Sequence, residues 1–132
     1  MLLLDTDVMV DIQRGFAPAL EWLRNLPETP AISVITVLEL LHGCRNLREQ
    51  EVVKRLVERM HVIYLDESAC MRAVDYFCAF HLSSGLGLLD SLIAATAASR
   101  GLVLCSFNEK HYGVIPDLQV VKPYARNQEP RE

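Results

Sequence analysis

Four separated segments each set a polar residue where a parallel α/β sheet would deliver it to one shared rim. They are Asp5 in Leu2-Leu3-Leu4-Asp5-Thr6-Asp7, Glu39 in Thr36-Val37-Leu38-Glu39, Asp90 in Leu88-Leu89-Asp90-Ser91, and Asn108 shortly after Leu102-Val103-Leu104-Cys105. Three of these are carboxylates, and carboxylates crowded in a partly dry cleft cannot all stay ionised without a positive partner. A divalent cation would supply that charge, and an all-oxygen pocket suits Mg²⁺ or Mn²⁺ better than zinc. An ion held in this way can polarise a scissile phosphate, stabilise the charge that develops on it and acidify an attacking water. The pattern therefore points to an enzyme that needs no protein nucleophile. Cys105 and His111 make no nucleophile pair, because no third residue with an orienting role is identifiable.

Each residue also has a plainer explanation. Asp5, Thr6 or Asp7 could cap the helix that follows, since Asp and Thr are preferred caps contributing about 1 kcal/mol. Thr36-x-x-Glu39 matches a capping box, Asp90 sits where a helix needs a cap, and Asn108 is an ordinary turn residue. What favours chemistry is coincidence, because all these separate explanations would have to hold together at one rim of one sheet. Among the basic residues, Arg45, Arg48, Lys54, Arg55 and Arg59 alternate with Glu49, Glu51 and Glu58. They read as a solvated face in which Glu51 and Arg55 have the spacing of a helix-surface pair. Arg14, Lys110 and His111 are better candidates for phosphate contacts. Tyr76, Phe77 and Phe80 read as core or interface residues.

Short apolar runs alternate with helical patterns along the whole chain. Met1 to Leu4, Ala31 to Ser33, His61 to Leu65, Leu102 to Cys105 and Leu118 to Val121 read as strands. Helices are expected after Asp5, over Phe16 to Leu26, through Val37 to Leu41 with a stop at Gly43, and over Leu47 to Met60. The last of these should turn Val52, Val53, Leu56, Val57 and Met60 to the core. Two more are expected over Glu67 to His81 and Asp90 to Arg100, with a loop at Ser83 to Gly87 and a stop at Gly101. Strands spaced by helices imply βαβ units, hence a parallel sheet covered on both faces. In such sheets ligands bind beyond the carboxyl ends of the strands, where Asp5 and Asn108 fall, with Glu39 and Asp90 one step into the adjoining helices.

The chain has 132 residues, enough for one core, and half of them are apolar. No apolar run approaches the roughly 18 to 20 residues of a membrane span. No signal peptide is evident, so a cytoplasmic protein is expected. Cys44, Cys70, Cys78 and Cys105 have neither C-x-x-C nor zinc spacing and read as free buried thiols. A net charge of −4 argues against a purely electrostatic nucleic-acid binder. It leaves room for a nuclease whose metal supplies the positive charge. One domain over 1–124 and a polar, disordered tail over 125–132 are expected.

At this point a resemblance becomes specific. Leu3-Leu4-Asp5-Thr6-Asp7-Val8-Met9-Val10-Asp11, Ser33-x-x-Thr36-x-x-Glu39-Leu40-x-x-Gly43, Asp90-Ser91-Leu92-Ile93-Ala94-Ala95-Thr96-Ala97 and Ser106-Phe107-Asn108-Glu109-Lys110-His111-Tyr112 resemble, in order and spacing, the successive motifs of PIN-domain ribonucleases. The nearest subgroup is the VapC-type toxins of toxin-antitoxin pairs. The resemblance implies a three-layer α/β/α domain with a five-stranded parallel sheet. It also implies Mg²⁺- or Mn²⁺-dependent cleavage of RNA, homodimerisation, and neutralisation by a small antitoxin. By motif, Asp5, Glu39 and Asp90 match the family's metal-site acids. Asn108 stands where the family often has a fourth Asp, Ser106 matches a small hydroxyl residue at that corner, and Asp7 is a supporting candidate. Two rivals remain: a PIN-like fold that has lost catalysis through Asn108 and only binds a partner, and a haloacid-dehalogenase-like phosphohydrolase using Asp5-Thr6-Asp7. The latter expects a cap insertion and a later acidic pair, and neither is visible.

Overall fold

The computed structural model describes residues 1–126. Five strands form one sheet in the order β3-β2-β1-β4-β5, every pairing parallel: β1 (Leu2–Leu4), β2 (Ala31–Ser33), β3 (His61–Ile63), β4 (Val103–Cys105) and β5 (Val120–Val121). The central strands β1 and β4 are uninterrupted apolar runs because both of their faces are covered. Successive side chains alternate between two cores. Leu3, Ala31 and Leu104 enter one, with residues of α5 (Glu67–Ser84) and α6 (Leu88–Arg100). Leu4, Ile32 and Cys105 enter the other, with α1 (Thr6–Gln13), α2 (Ala17–Arg24), α3 (Val34–His42) and α4 (Leu47–Val57). This is the three-layer α/β/α arrangement expected above. The fully buried Ala94, Ala95 and Ala97 leave α6 without bulk, so it can lie close to the sheet while packing along α5.

Several boundaries differ from the periodicity, each for a local reason. α5 continues through Ser84, past the expected loop start at Ser83. Gly85 stops it by taking φ 77°, its amide reaching His81 while the amide of the buried Leu86 reaches Phe80. α6 begins at Leu88 behind Gly87, so Asp90 lies inside the first turn and does not cap the helix. α3 is capped by Ser33, whose Oγ accepts from the Ile35 amide at 3.0 Å. The Thr36–Glu39 capping box does not form. One turn, α7 (Glu109–Tyr112), follows β4 unannounced by any periodicity, since four residues are too few to show one. On α4, Val53 is buried whereas Val52 is exposed.

Cys70 and Cys78 are exposed on α5, contrary to the expectation of burial, and all four cysteines are free. Arg45 pairs with Glu49 at 2.7 Å, and no Glu51–Arg55 pair occurs among the described residues. The expected tail over 125–132 begins too early, because Arg126 bonds to Asp11. The remainder of that tail, 127–132, lies outside the described residues. Within them no helix is long and apolar enough to cross a membrane.

Sheet order places the site. The chain leaves β1 toward β2 on one side, whereas β4 adds to the other side of β1. The β1/β4 boundary is therefore where connections diverge and a crevice opens at the strands' carboxyl ends. Leu4 pairs with Cys105, so the next residues, Asp5 and Ser106, emerge side by side into it.

Candidate active site

Asp5 is both a cap and the centre of the site. Its Oδ1 accepts from the Thr6 amide at 2.9 Å, the local capping bond, and Oδ2 accepts from Ser106 Oγ at 2.7 Å across the β1/β4 boundary. The side chain is nearly fully buried. Burial first, then the neighbouring charge of Asp7, and more weakly that of Asp90, raise its pKa to about 7 against the opposing bonds from Ser106 and Thr6.

Tyr112 ties Asp5 to Asp90. Completely buried, it aims its hydroxyl between the two carboxylates, 3.3 Å from Asp5 Oδ1 and 3.2 Å from Asp90 Oδ1. A single phenolic proton can serve only one acceptor well at a time, so the two acids share it. Burial, then the charges of Asp5 and Asp90, push the phenol far above its ordinary pKa, which keeps it a donor. Asp90 projects from the first turn of α6, where the amino end of a helix favours negative charge. Gly87 leaves that carboxylate its space: a Cβ there would stand 3.3 Å from Asp90 Oδ2.

The second corner hangs from Asp7. Its Oδ2 accepts from the Phe107 amide at 3.0 Å and stands 3.5 Å from Ser106 Oγ. Oδ1 is buried without a hydrogen-bond partner among the described residues. Burial is the main cause of a raised Asp7 pKa, opposed by the Phe107 and Val8 amides and by the charge of Arg126. The Asn108 amide donates to Ser106 Oγ at 2.9 Å, while its side chain makes no capping bond to α7. Asn108 thus belongs to the same loop, with its carboxamide uncommitted to the helix.

Glu39 joins from the other side through hydroxyls. Thr6 Oγ1 donates to Glu39 Oε1 at 2.5 Å, and Thr36 Oγ1 lies 2.9 Å from Thr6 Oγ1. Because the one proton of Thr6 goes to Glu39, Thr36 is the donor to Thr6. Glu39 also borders a groove of about 720 Å³ lined with Ile35, Leu38, Leu41, His42 and Leu89.

The structure thus gathers the expected residues in two groups. Asp5, Asp90, Asp7, Ser106 and Asn108 cluster around the β1/β4 crevice, and Glu39 approaches through Thr6. Among the described residues no three His, Cys, Asp or Glu side chains form a ready-made metal cage. The donor set nevertheless fits a hard divalent cation. It is all oxygen, it is anionic, it forces Asp5 toward neutrality by burial and repulsion, and it holds Asp7 Oδ1, which has no partner among the described residues. Of the phosphate candidates, Arg14 ends α1, roughly 13 Å of helix from Asp5, and so leaves the site. Lys110 and His111 lie on α7, the turn that carries Tyr112. Cys105 is buried and its thiol is pushed up to about 12, which keeps it from acting as a nucleophile. Sequence reasoning missed Tyr112 and Thr6. The available signal was an aromatic hydroxyl one helical turn after Asn108, which needs a polar partner if buried.

Known proteins share this architecture. Residues 2–114 match the PIN domain family. Ribonuclease VapC10 of Mycobacterium tuberculosis is 34% identical over 122 residues, which cover 90% of this chain and 91% of that protein. A toxin-antitoxin complex from Klebsiella pneumoniae contains a chain that superposes with TM-score 0.78 at 28% identity, covering 96% of this chain and 100% of its own. DNA-bound VapBC from Salmonella typhimurium gives TM-score 0.81 at 26% identity, with coverages of 92% and 96%. The parallel α/β/α fold with its acids at the β1/β4 crevice agrees with that family match. The chain belongs to the PIN domain family and, within it, to the VapC type. The haloacid-dehalogenase alternative falls with that membership.

Proposed function

We propose that this chain is a Mg²⁺- or Mn²⁺-dependent RNA endonuclease and the toxin of a toxin-antitoxin pair. The observation that carries the reading is the buried Asp5–Tyr112–Asp90 bridge at the switch point of a PIN sheet. It keeps two acids together where negative charge is costly, a cost that a purely structural site would have no use for. The likeness to a ribonuclease and to chains of toxin-antitoxin complexes supports the substrate and the partner.

In this reading Asp5 and Asp90 hold the ion, and Glu39 completes the set by turning from Thr6. When bound, the ion supplies Lewis-acid activation of the scissile phosphate and of the water that attacks it. The chain does the rest. Ser106 and the Thr6 amide fix the Asp5 carboxylate, and Tyr112 holds Asp90 at a set separation from it. The Thr36–Thr6 hydroxyl relay keeps Glu39 facing the crevice, and Asn108 orients a neighbouring ligand or water without adding charge. A single-stranded or looped RNA suits an open crevice better than a duplex. The groove beside Glu39, with the exposed Leu38 and Leu89, is apolar in the manner of a protein-binding surface and suits the antitoxin. Homodimerisation and a cytoplasmic location complete the reading.

The test is cleavage of a diverse RNA pool by the purified chain with Mn²⁺, with and without EDTA, beside growth on expression. Metal-dependent cutting that disappears in Asp5→Ala supports the proposal. Intact RNA, together with equal growth on expressing the parent and Asp5→Ala, rejects it in favour of a PIN-like protein that only binds a partner.

A further inference from the structure

The segment after β5 lies outside the 2–114 family match, yet it reaches the catalytic corner. Tyr124 donates its hydroxyl to Asp11 Oδ2 at 2.8 Å, and Arg126 Nη2 donates to Asp11 Oδ1 at 3.1 Å. Asp11 is a nearly buried carboxylate on α1, so both of its oxygens are satisfied by this one segment. The Tyr124 ring packs among Phe16, Trp22 and Phe107, at centroid distances of 6.1, 5.8 and 5.0 Å. Arg126 lies over the face of Phe107 at 4.5 Å. Phe107 is therefore covered on two sides by residues from the far end of the chain. Its own amide holds Asp7, and its neighbour Ser106 holds Asp5.

We propose that Tyr124 and Arg126 are positioning residues: they strap the Ser106–Asn108 corner to α1, and so set Asp7 and Asp5 for catalysis. The physical argument is entropic. The loop after β4 is held from within by the Ser106 amide on Val121, the Phe107 amide on Asp7 and the Ser106 hydroxyl on Asp5. None of these fixes the Phe107 ring, which an aromatic cluster and a charge-assisted pair on a buried acid can immobilise from outside. Rigid support behind a catalytic group changes turnover more than substrate affinity, because misplacement by a fraction of an ångström is felt in the transition state.

The inference rests on the ribonuclease reading, and the experiment separates the two. Full-length parent, Arg126→Gln, Tyr124→Phe, Phe107→Leu and the Arg126→Gln/Phe107→Leu pair are assayed on a fluorogenic RNA with Mn²⁺. Each is measured below its melting transition, with the exposed Arg24→Gln as control. Exchange of the Phe107 amide is followed by NMR without metal. The expected result is a roughly tenfold fall in kcat for Arg126→Gln at near-parental KM, with faster Phe107 exchange. Once Phe107→Leu is present, Arg126→Gln should have less than about a twofold further effect. A raised KM with parental kcat makes Arg126 a substrate contact and overturns the proposal, as do multiplicative effects in the pair. Parental kcat with a lower melting temperature also overturns it, leaving a purely structural strap. If the parent cuts no RNA, the nuclease reading fails, and the Phe107 exchange rate alone decides whether the strap holds the corner.

Discussion

The two sides of the crevice are built differently. On the β1/β4 side the Asp5 carboxylate has both oxygens bonded, to a backbone amide, a serine and a buried tyrosine, at the end of a fixed strand register. On the α3 side, Glu39 has one described bond, from Thr6, at the end of a longer side chain on the edge of an open apolar groove. The first side is preorganised and bears the electrostatic strain; the second is adjustable. A cleft with one rigid and one movable acid can admit an ion and a phosphate without rebuilding its core.

That contrast ranks the effects of disruption. The largest is expected at the rigid side. Asp5→Ala should lower the RNA cleavage rate by on the order of 10³-fold, as loss of a central electrostatic group does. Glu39→Ala should cost less than Asp5→Ala when Mn²⁺ is saturating, because the remaining acids still gather charge. A rate assay across Mn²⁺ concentrations checks both, and equal losses at saturation would erase the distinction between the two sides.

Stability of the metal-free protein should report the strain directly. The Asp5 pKa rises from 3.8 to about 7 on folding, so the folded state binds that proton more tightly than the unfolded chain does. Its contribution is fully present below about pH 4 and is lost as pH rises through 7, by on the order of 4 kcal/mol. Asp5→Asn should therefore gain on the parent steadily between pH 4 and 7 in chemical denaturation. A constant difference across that window would remove the buried-charge account. In the parent at neutral pH, Mn²⁺ at a hundredfold excess over its dissociation constant should restore about 2.7 kcal/mol.

Smaller effects separate the linkers. Tyr112→Phe keeps the buried ring and deletes the shared hydroxyl, which should weaken Mn²⁺ binding roughly tenfold, the scale of a hydrogen bond to a charged group. Calorimetric titration of the metal-free variant measures it, and unchanged affinity would mean the hydroxyl holds nothing in place. Asn108→Ala should be the mildest, lowering cleavage less than Asp5→Ala does. Asn108→Asp should shift the Mn²⁺ dependence to lower concentration by adding charge to the loop. An Asn108→Ala as inactive as Asp5→Ala would move that residue to the centre of the reaction.

Much of this molecule was legible along the chain. The apolar runs ending at Leu4, Ser33 and Cys105, with helical patterns between them, specify a parallel sheet, because only a strand buried on both faces tolerates such continuity. The order and spacing of the Asp5, Glu39, Asp90 and Asn108 segments specify the family. What the chain alone left open depends on distance in space. Thr36 looked like the start of a capping box, but Ser33 held the cap position and freed Thr36 to reach Thr6. Asp90 looked like a cap, but Gly87 let the helix begin earlier and turned the acid toward Tyr112. Tyr112, Tyr124 and Arg126 carry no periodic signal, for each acts on a residue more than twenty positions away. Hydrophobic periodicity is a local property and sets the elements and their order. The pairing of a hydroxyl or a guanidinium with a buried acid is decided only when the packed sheet brings the two ends of the chain to the same corner.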